Sequence, residues 1–544
     1  MKTLITTLNS KYIHTSLSLR LLYVASYHDF DIDFKEYTIK DSLDHIVDDL
    51  LGMHLDVIAF SCYIWNIEYI EKICHQLRQK QPQIIIILGG PEVTYEPQHF
   101  LEQFPVDYII SGEGEEVFPQ LLKALKQDQP IDLPGVSYQG HISSMIAAAN
   151  LKYVESLDSP YDLPQDRQDQ GKRILYFETS RGCPFQCQYC LSSLEQGLRF
   201  FSEDYLKKQL DIIFNSSAKT IKFLDRSFNA DAKHAIMILD YIFKHYRHGQ
   251  QFQFEINADV LNQKIIDFIR EYAPPGLLRF EIGIQSTYEP TNRAVKRIQN
   301  FERLSEVVKM LMEDGKCDLH LDLIAGLPYE TYERFAKSFD DVFAFRAKEL
   351  QLGFLKLLRG TSLRNDAKDY GYVYQQEPPY EMLENKWLNH EDMHKIHMAE
   401  DMLEKYWNSG RFTRTMNAVM DEVDSPFALF YDLACFYQDN HYKTMGYQLD
   451  ELYSYLDAYL PEKYHDLLIM DYLLQFKVKP KRWYPSSLSP QQRKEVMRNL
   501  AKQYHLDQEL LFRYAIVEEI QNQYLVVIYK DYQCQWTMYK KVNV

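Results

Sequence analysis

The sequence predicts an α/β protein with a parallel sheet, then a partial (β/α)6 barrel, then a mostly α-helical C-terminal domain. Short apolar runs alternate with amphipathic stretches over residues 1–133, as in a parallel sheet covered by helices. Six strand-like runs alternate with helical ones over residues 172–370, which predicts the partial barrel. Over residues 371–544 aromatic-rich helical stretches replace this alternation. The irregular residues 134–171 are typical of a linker.

Composition and charge limit the classes of function. The 544 residues are 46% hydrophobic and 25% charged, which is ordinary for a globular protein with several cores. The formal charge of −17 argues against non-specific binding to nucleic acid or to an anionic membrane. No apolar run approaches the ~20 residues that span a bilayer, and the first apolar stretch is too short for a signal peptide. With unevenly spread cysteines, these features predict a cytoplasmic protein without a disulfide framework.

The first domain places polar residues and glycines where a parallel sheet binds ligands. Its strands are predicted in KTLITTL, DIDFKEYTI, DVIAFSC, QIIIILGG and VDYIISG. Open sheets of this Rossmann-like kind bind ligands at the carboxyl ends of their strands, where glycines let the backbone approach a large ligand. The candidate contacts at these ends are Asn9, His14, Ser61, Tyr63, Gly89, Gly90, Glu92, Gly112, Glu113 and Glu115.

A cysteine loop follows the first strand of the second domain. In ETSRGCPFQCQYCLSS, Cys183, Cys187 and Cys190 have a C-x3-C-x2-C spacing. Three thiolates on one tight loop suit an iron–sulfur cluster, and three ligands leave one iron open to the amine and carboxylate of an amino acid. The alternative is a zinc knuckle, although structural zinc prefers four ligands and the loop has no fourth Cys or His. The five other cysteines are predicted to be small buried side chains.

Polar residues also follow the later strands of the predicted barrel. Barrel active sites lie at the carboxyl ends of the strands, where carboxylates and amides form hydrogen bonds to a polar ligand. Each residue taken alone could instead be a solvated or capping side chain. The candidates are Asp225, Arg226, Asn229, Glu255, Asn257, Glu281, Gln285, Ser286 and Gly326.

The cysteine loop, with Tyr189 before its third cysteine, resembles the signature of radical S-adenosylmethionine (SAM) enzymes. The upstream motifs GGPEVT and SGEGEEVF resemble the cobalamin-binding class of these enzymes. NSKYIHTSL, SCYIWN and the long C-terminal extension are similar to an uncharacterised subfamily with a C-terminal domain of unknown function. The resemblance implies a [4Fe–4S] cluster on the three cysteines, which cleaves SAM to a 5′-deoxyadenosyl radical, and cobalamin on the first domain.

The resemblance also implies contacts for both cofactors. SAM would contact Tyr189 and the barrel candidates, with its adenine near Gly326, and cobalamin would contact the candidates of the first domain. The D-x-H-x-x-G motif, which supplies a histidine to cobalt in many cobalamin proteins, is absent. His14 is a candidate axial ligand or, alternatively, a hydrogen-bonding residue of the first loop. LDRSFN, which contains Asp225, stands where relatives often carry a glycine-rich stretch with an acid.

By this resemblance we expect a cobalamin-dependent enzyme that methylates an unactivated carbon or phosphorus, with an electron donor of the flavodoxin or ferredoxin type as partner. The first alternative is a radical SAM isomerase or cyclase that does not use cobalamin, on a Rossmann-like scaffold that has lost its cofactor. The second is a non-catalytic iron–sulfur protein that binds RNA. The sequence does not identify the substrate, whether small or macromolecular.

A basic patch bears on the RNA alternative. Residues 476–502 hold eight Lys or Arg and a single acid, Glu495. Lys481, Arg482 and Trp483 combine basic and aromatic side chains, which suits phosphate contact and base stacking. The other interpretation is a solvated basic face. The end of the chain, from residue 524, is predicted to form a two-stranded ribbon.

Overall fold

The computed structural model describes residues 1–195 and 197–541. Gln196 and residues 542–544, which end the predicted C-terminal domain, lie outside the described residues. The chain divides into two compact units, residues 1–335 with 351–390, and residues 336–350 with 391–541. No helix within the described ranges has the length and apolar character needed to cross a membrane.

The first unit begins with a six-stranded sheet. Its strands are β1 (Lys2–Asn9), β2 (Asp31–Thr38), β3 (Val57–Ser61), β4 (Ile85–Gly89), β5 (Tyr108–Ile110) and β6 (Val136–Tyr138). The helices between them are α1 (Leu17–Val24), α2 (Leu43–Gly52), α3 (Ile67–Lys80), α4 (Pro91–Thr94), α5 (Pro97–Gln103) and α6 (Val117–Lys126). Separate hydrophobic cores cover the two faces of the sheet. Strands buried on both faces read as continuous apolar runs, which is why β3 and β4 could be predicted.

The strand order of this sheet is β2-β1-β3-β4-β5-β6, with β1 to β5 parallel and β6 antiparallel. The order reverses at β1, so the loops after β1 and β3 flank a topological switch point. Ligands of open α/β sheets bind at such points. The predicted residues Asn9, His14, Ser61 and Tyr63 lie in or at the start of these two loops.

The segment predicted as a linker contains ordered structure. β6 lies within it and adds the sixth strand to the sheet, and α7 (Leu151–Ser156) follows. β6 has three residues, which is too short to show the period of a strand in the sequence.

The predicted partial barrel is confirmed. Its region holds β7 (Ile174–Phe177), β8 (Ser180–Gly182), β9 (Leu198–Phe200), β10 (Thr220–Phe223), β11 (Gln251–Ile256), β12 (Leu278–Gln285), β13 (Cys317–Ala325) and β14 (Glu349–Phe354). Its helices are α8 (Glu203–Asn215), α9 (Ala232–His245), α10 (Gln263–Tyr272), α11 (Glu289–Ala294), α12 (Phe301–Asp314) and α13 (Tyr332–Phe343). The sheet runs β7-β10-β11-β12-β13-β14, with β7 and β14 at opposite edges, so the barrel is open. β8 and β9 form a separate two-stranded ribbon.

Side chains alternate across these strands. One face carries the buried phenylalanines Phe223, Phe252 and Phe254, and Phe214 of α8 packs against Phe252, so this face meets the helices. The opposite face carries polar and charged residues, among them Lys222. The inner wall of the barrel is therefore polar.

Four short elements close the first unit, namely α14 (Ser362–Asn365), α15 (Ala367–Tyr370), β15 (Val373–Tyr374) and β16 (Met382–Glu384). The second unit is mostly helical, as predicted. Its helices are α16 (His390–Leu403), α17 (Thr413–Met420), α18 (Pro426–Asp439), α19 (Leu449–Tyr459), α20 (His465–Leu474), α21 (Pro490–Tyr504) and α22 (Gln508–Tyr514). The strands β17 (Ala515–Ile520), β18 (Gln523–Lys530) and β19 (Gln533–Lys540) form an antiparallel sheet, so the predicted ribbon has a third strand. β17 follows α22 directly, so the sequence contains no turn residues that would mark the start of this strand.

Candidate functional site

The cysteine loop is closed by the ribbon of β8 and β9. Ser180 pairs with Phe200 and Gly182 with Leu198, which brings the two ends of the loop together. Gly182 has φ +91°, and a Cβ there would collide with the carbonyl oxygen of Gly197. Glycine is therefore required directly before the first cysteine.

The three cysteines lie in one loop, with Cys187 buried and the other two partly buried. The backbone N–H of Cys190 donates to the carbonyl of Cys187 at 3.1 Å. The pKa of the Cys183 thiol is raised, first by burial and also by the charges of Cys190 and Cys187, so the three thiols are electrostatic neighbours. A cation bound at the three cysteines would relieve this repulsion and stabilise the thiolate of Cys183.

The spacing of the donors distinguishes between metals. Within residues 1–195 and 197–541, no three Cys, His, Asp or Glu side chains converge closely enough to hold one metal ion. A single zinc would bind every sulfur at about 2.3 Å. A [4Fe–4S] cluster binds each cysteine on a different iron and accepts a wider spacing. The cysteine loop fits the cluster better than it fits zinc.

Asp225 supports the cysteine loop from the end of β10. Its carboxylate accepts from the Thr179 backbone N–H at 3.0 Å, and from the hydroxyls of Thr179 and Ser180 at 2.6 Å each. Burial raises the pKa of this carboxyl, although these hydrogen bonds act to lower it. The contact of Asp225 with SAM stays a prediction, since the structure shows it bonded to the residues that precede Cys183.

Three other predicted SAM contacts also have structural roles within the protein. Asn229 donates to the carbonyl of Asn257 at 2.8 Å and accepts from its N–H at 2.9 Å. The Ser286 hydroxyl donates to Glu330 at 2.8 Å. Gly326 has φ +102°, and a Cβ there would lie 2.6 Å from Met382 Cε. These residues shape the barrel mouth, and their contacts with SAM stay predictions.

Gln285 differs from these residues, because its Oε1 is buried and has no hydrogen-bond partner among the described residues. It ends β12 at an irregularity in the pairing with β13 and has φ +69°. Buried amide oxygens are normally hydrogen-bonded, so this acceptor fits a ligand donor. The predicted contact between Gln285 and SAM is chemically consistent with this geometry.

The remaining barrel candidates surround a polar interior. Arg226 lies 4.0 Å from Glu255, whose pKa is raised by burial first and by the neighbouring Glu281. Lys222 pairs with Glu281 at 2.8 Å across the inner wall.

The Tyr189 hydroxyl lies 3.4 Å from a guanidinium nitrogen of Arg297, a residue that the sequence analysis did not single out.

The loop after β1 connects the first sheet to the barrel. Asn9 donates to the carbonyl of His14 at 3.0 Å. The His14 ring lies 2.7 Å from the Tyr176 hydroxyl on β7, and burial lowers its pKa. His14 thus makes a hydrogen bond to the barrel, and its role as an axial ligand stays a prediction.

The loop after β3 carries an exposed aromatic surface at the switch point. The hydroxyls of Ser61 and Tyr63 each lie 3.3 Å from that of Ser18. Trp65 stacks on Tyr63 with ring centroids 4.4 Å apart, and 42% of it is exposed. A large apolar side chain left exposed at a ligand edge suits a large ring ligand, so this edge fits cobalamin.

Of the glycines predicted to contact cobalamin, two are required by the local backbone conformation. Gly90 has φ +102°, and a Cβ there would lie 2.6 Å from the Cys62 carbonyl oxygen. Gly112 has φ +100°, and its Cβ would collide with the carbonyl oxygen of Ala147. At Gly89 a Cβ would have room, 3.7 Å from the nearest atom. Gly90 and Gly112 are needed for close approach of the chain to itself, and their contact with cobalamin stays a prediction.

The three predicted acidic contacts pair with arginines of the barrel segments. Arg181 donates to Glu113 at 3.0 Å and to Glu115 at 2.6 Å. Glu92 accepts from Tyr380 at 2.5 Å and lies 3.3 Å from Arg359. Such pairs could not be found from the sequence, since their partners lie 66 or more positions away and share no motif.

The predicted basic patch lies in the second unit. Lys481 is exposed, and Arg482 pairs with the buried Glu518. The Trp483 ring packs against Tyr484, with centroids 5.4 Å apart, inside an aromatic cluster. Contact of this patch with RNA stays a prediction, and the structure assigns its indole a packing role.

Three family models match the chain. They are the B12 binding domain over residues 3–122, the Radical SAM superfamily over residues 177–342, and a family of unknown function, DUF4080, over residues 368–537. The cobalamin-dependent radical SAM methyltransferase TokK of Streptomyces tokunonensis is 28% identical over 312 residues, which are 53% of this chain and 44% of TokK. The match therefore spans less than half the length of that relative.

Two solved structures share the fold. OxsB, a cobalamin-dependent S-adenosylmethionine radical enzyme with aqua-cobalamin and S-adenosylmethionine bound, has a TM-score of 0.59 at 15% identity over 94% of this chain and 76% of OxsB. The radical S-adenosylmethionine methyltransferase TsrM of Kitasatospora setae, with cobalamin and a [4Fe–4S] cluster bound, has a TM-score of 0.57 at 14% identity over 70% of this chain and 79% of TsrM.

The B12-binding match coincides with the first sheet, and the radical SAM match contains the cysteine loop and five of the six barrel strands wholly or in part. The residues present fit all three cofactors. The cysteine loop fits a [4Fe–4S] cluster, the unpartnered oxygen of Gln285 fits SAM, and the aromatic surface at the switch point fits cobalamin. The chain thus combines an N-terminal domain that matches the B12 binding domain, a central domain that matches the Radical SAM superfamily and a C-terminal domain that matches DUF4080, and its cofactors are a [4Fe–4S] cluster, SAM and cobalamin.

Proposed function

We propose that this enzyme is a cobalamin-dependent methyltransferase that methylates an unactivated carbon of a polar substrate. The observation that carries the proposal is the contact of Glu113 and Glu115, at the carboxyl edge of the first sheet, with Arg181, two residues before Cys183. A reaction that uses both cofactors needs them close to one substrate, and this contact supports that placement. The names of TokK and TsrM as methyltransferases support the reaction type.

When bound, the cluster and SAM supply a radical that removes a substrate hydrogen, and cobalamin supplies the methyl group. The side chains of Cys183, Cys187 and Cys190 hold the cluster. Asp225 keeps the cysteine loop in place through Thr179 and Ser180. The Oε1 of Gln285, buried without a partner among the described residues, would accept a hydrogen bond from bound SAM.

The inner wall of the barrel supports a polar substrate. Lys222, Glu255 and Glu281 project from neighbouring strands, and Lys222 and Glu281 form an ion pair 2.8 Å apart. Charged groups on a ligand-facing wall favour a substrate that can form hydrogen bonds with them. We further propose a flavodoxin- or ferredoxin-type electron donor and a cytoplasmic location, which the free thiols of the cysteine loop suit.

Cofactor loading and methyl transfer test the proposal together. Anaerobically purified protein is reconstituted with iron and sulfide, soaked in hydroxocobalamin and desalted. We expect about four irons per chain and retained corrinoid absorption. After reduction in the presence of SAM with a deuterated methyl group, we expect 5′-deoxyadenosine, S-adenosylhomocysteine and deuterated methylcobalamin, even without the substrate.

The control is the triple variant Cys183→Ala, Cys187→Ala, Cys190→Ala, which should lose iron and 5′-deoxyadenosine but still retain corrinoid. Iron that persists in this variant would contradict the cluster site. Four irons without retained corrinoid would contradict the methyltransferase and favour the cobalamin-independent alternative.

A further inference from the structure

Arg297 reaches the cysteine loop from the segment that follows α11. Its Nη1 donates to Cys187 Sγ at 3.9 Å and to the Tyr189 hydroxyl at 3.4 Å. Its Nη2 donates to the carbonyl of Gly283, and its Nε donates to Gln299 at 3.0 Å. The guanidinium thus links a cluster cysteine to the end of β12.

The backbone holds this segment against the loop independently of the guanidinium. The N–H of Gln188, between Cys187 and Tyr189, donates to the carbonyl of Val295 at 2.9 Å. The N–H of Arg297 itself donates to the carbonyl of Asn292 at 2.8 Å. The position of Arg297 beside Cys187 is therefore a property of the fold.

The charge of Arg297 has no counterion among the described residues. Among the residues that the structure describes, no carboxylate pairs with it, and its acceptors are a thiol, a hydroxyl, a carbonyl and an amide. A guanidinium stays protonated and is costly to desolvate without an anion. With a cluster bound, the thiolate of Cys187 would supply this anion.

We propose that Arg297 is a positioning residue that raises the reduction potential of the [4Fe–4S] cluster through its hydrogen bond to Cys187 Sγ. Cluster potentials depend on net charge and on hydrogen bonds to the sulfurs. One-electron reduction adds negative charge to the cluster, and a donor cation beside a cluster sulfur stabilises that product. The electron comes from the external donor, and no covalent bond of the protein changes. The inference rests on the cluster but not on the methyl transfer proposed above.

Redox titration of the reconstituted full chain tests this inference. The potential is followed by the electron paramagnetic resonance of the reduced cluster, without SAM. For Arg297→Met we expect full iron content and an equilibrium constant for reduction about tenfold lower, which is a shift of about 59 mV to a more negative potential. Arg293→Met, on α11 and 79% exposed at its side chain, is the matched control and should keep the potential of the unaltered protein.

Arg297→Gln keeps a donor without the charge and should shift the potential in the same direction by a smaller amount. Unchanged potentials in both variants at full iron content would overturn the proposal. Loss of the cluster from both variants would also overturn it, because Arg297 would then be needed for cluster retention. A lack of iron in the unaltered protein would instead count against the cofactor assignment and the proposed function.

Discussion

Gln285 carries two unfavourable features in one residue. Its φ of +69° lies in the left-handed region, which costs a non-glycine residue about 1–3 kcal/mol. Its Oε1 is buried without a partner among the described residues, which adds the cost of an unsatisfied acceptor. Residues with such costs cluster at ligand sites, where the ligand supplies the missing bond. The position at the end of β12, at the barrel mouth, agrees with this explanation.

Gln285→Met should lower SAM affinity and leave the fold intact. Methionine matches glutamine in length but lacks its acceptor, so the lost hydrogen bond of about 0.5–1.5 kcal/mol should weaken binding about two- to tenfold. The melting temperature of the cofactor-free protein should not fall, because the acceptor has no protein partner to lose. Calorimetric titration of the oxidised, reconstituted protein with SAM measures the affinity.

Gln253→Met is the control for Gln285→Met, because Gln253 lies on the neighbouring strand β11 and its side chain makes a long hydrogen bond, 3.5 Å, to Gln251. It should bind SAM as the unaltered protein does. Equal affinities in all three proteins would remove Gln285 from the SAM site.

At the scale of elements, the sequence predicted those strands whose burial shows in their composition. The strands of both parallel sheets read as apolar or alternating runs because their packing demands it. β6, β8 and β9 have three residues each and show no period, so only tertiary pairing defines them. The three cysteines could be recognised as a candidate cluster site because they lie close together in the sequence. Arg181 and Arg297 could not, because spatial proximity to a loop leaves no local pattern.

An ion cluster connects the two-stranded ribbon of β8 and β9 to the first sheet, and in it one arginine faces three glutamates. Arg181 is nearly buried and faces Glu113, Glu115 and Glu178. Burial, Glu115 and Asp225 raise the pKa of Glu178 although Arg181 opposes this. An acid with a raised pKa in the fold contributes stability below its unfolded pKa and loses it as pH rises through the folded pKa.

Arg181→Met should therefore destabilise the first unit by about 3–5 kcal/mol at pH 7, since it leaves buried carboxylates without their cation. The deficit should shrink as pH falls toward 4.5, the ordinary pKa of Glu, because the raised pKa lets Glu178 take up a proton in the folded state, where it then needs no cation. Urea unfolding at pH 7 and pH 5 measures both effects. Arg199→Met removes a side chain that is 37% exposed and forms an ion pair with Glu113, and it should cost about 1 kcal/mol or less. Equal deficits in the two variants, or a deficit independent of pH, would contradict this assignment.

At the scale of the whole molecule, one carboxylate joins three segments of the first unit that the sequence separates. Glu36 on β2 accepts from Arg20 on α1 at 3.1 Å and from Arg173, just before β7, at 2.7 Å. Arg20 also pairs with Asp166 of the predicted linker at 2.6 Å. The first sheet, the linker and the barrel therefore share one ionic network, which positions the two cofactor domains relative to each other.

The network makes the first unit sensitive to acid. Burial disfavours the Glu36 carboxylate, but Arg20 and Arg173 outweigh burial and lower its pKa below the ordinary 4.5. A lowered pKa contributes stability above pH 4.5 that is lost as pH falls through the folded value. Glu36→Gln should cost about 3 kcal/mol at pH 7 and should flatten the decline of stability below pH 4.5, as measured by urea unfolding across pH 7 to 3.5. Asp158→Asn, which removes an exposed linker carboxylate, should cost less than about 1 kcal/mol. If the free energy of unfolding of the Glu36→Gln variant fell as steeply in acid as that of the unaltered protein, the acid sensitivity would arise elsewhere in the unit.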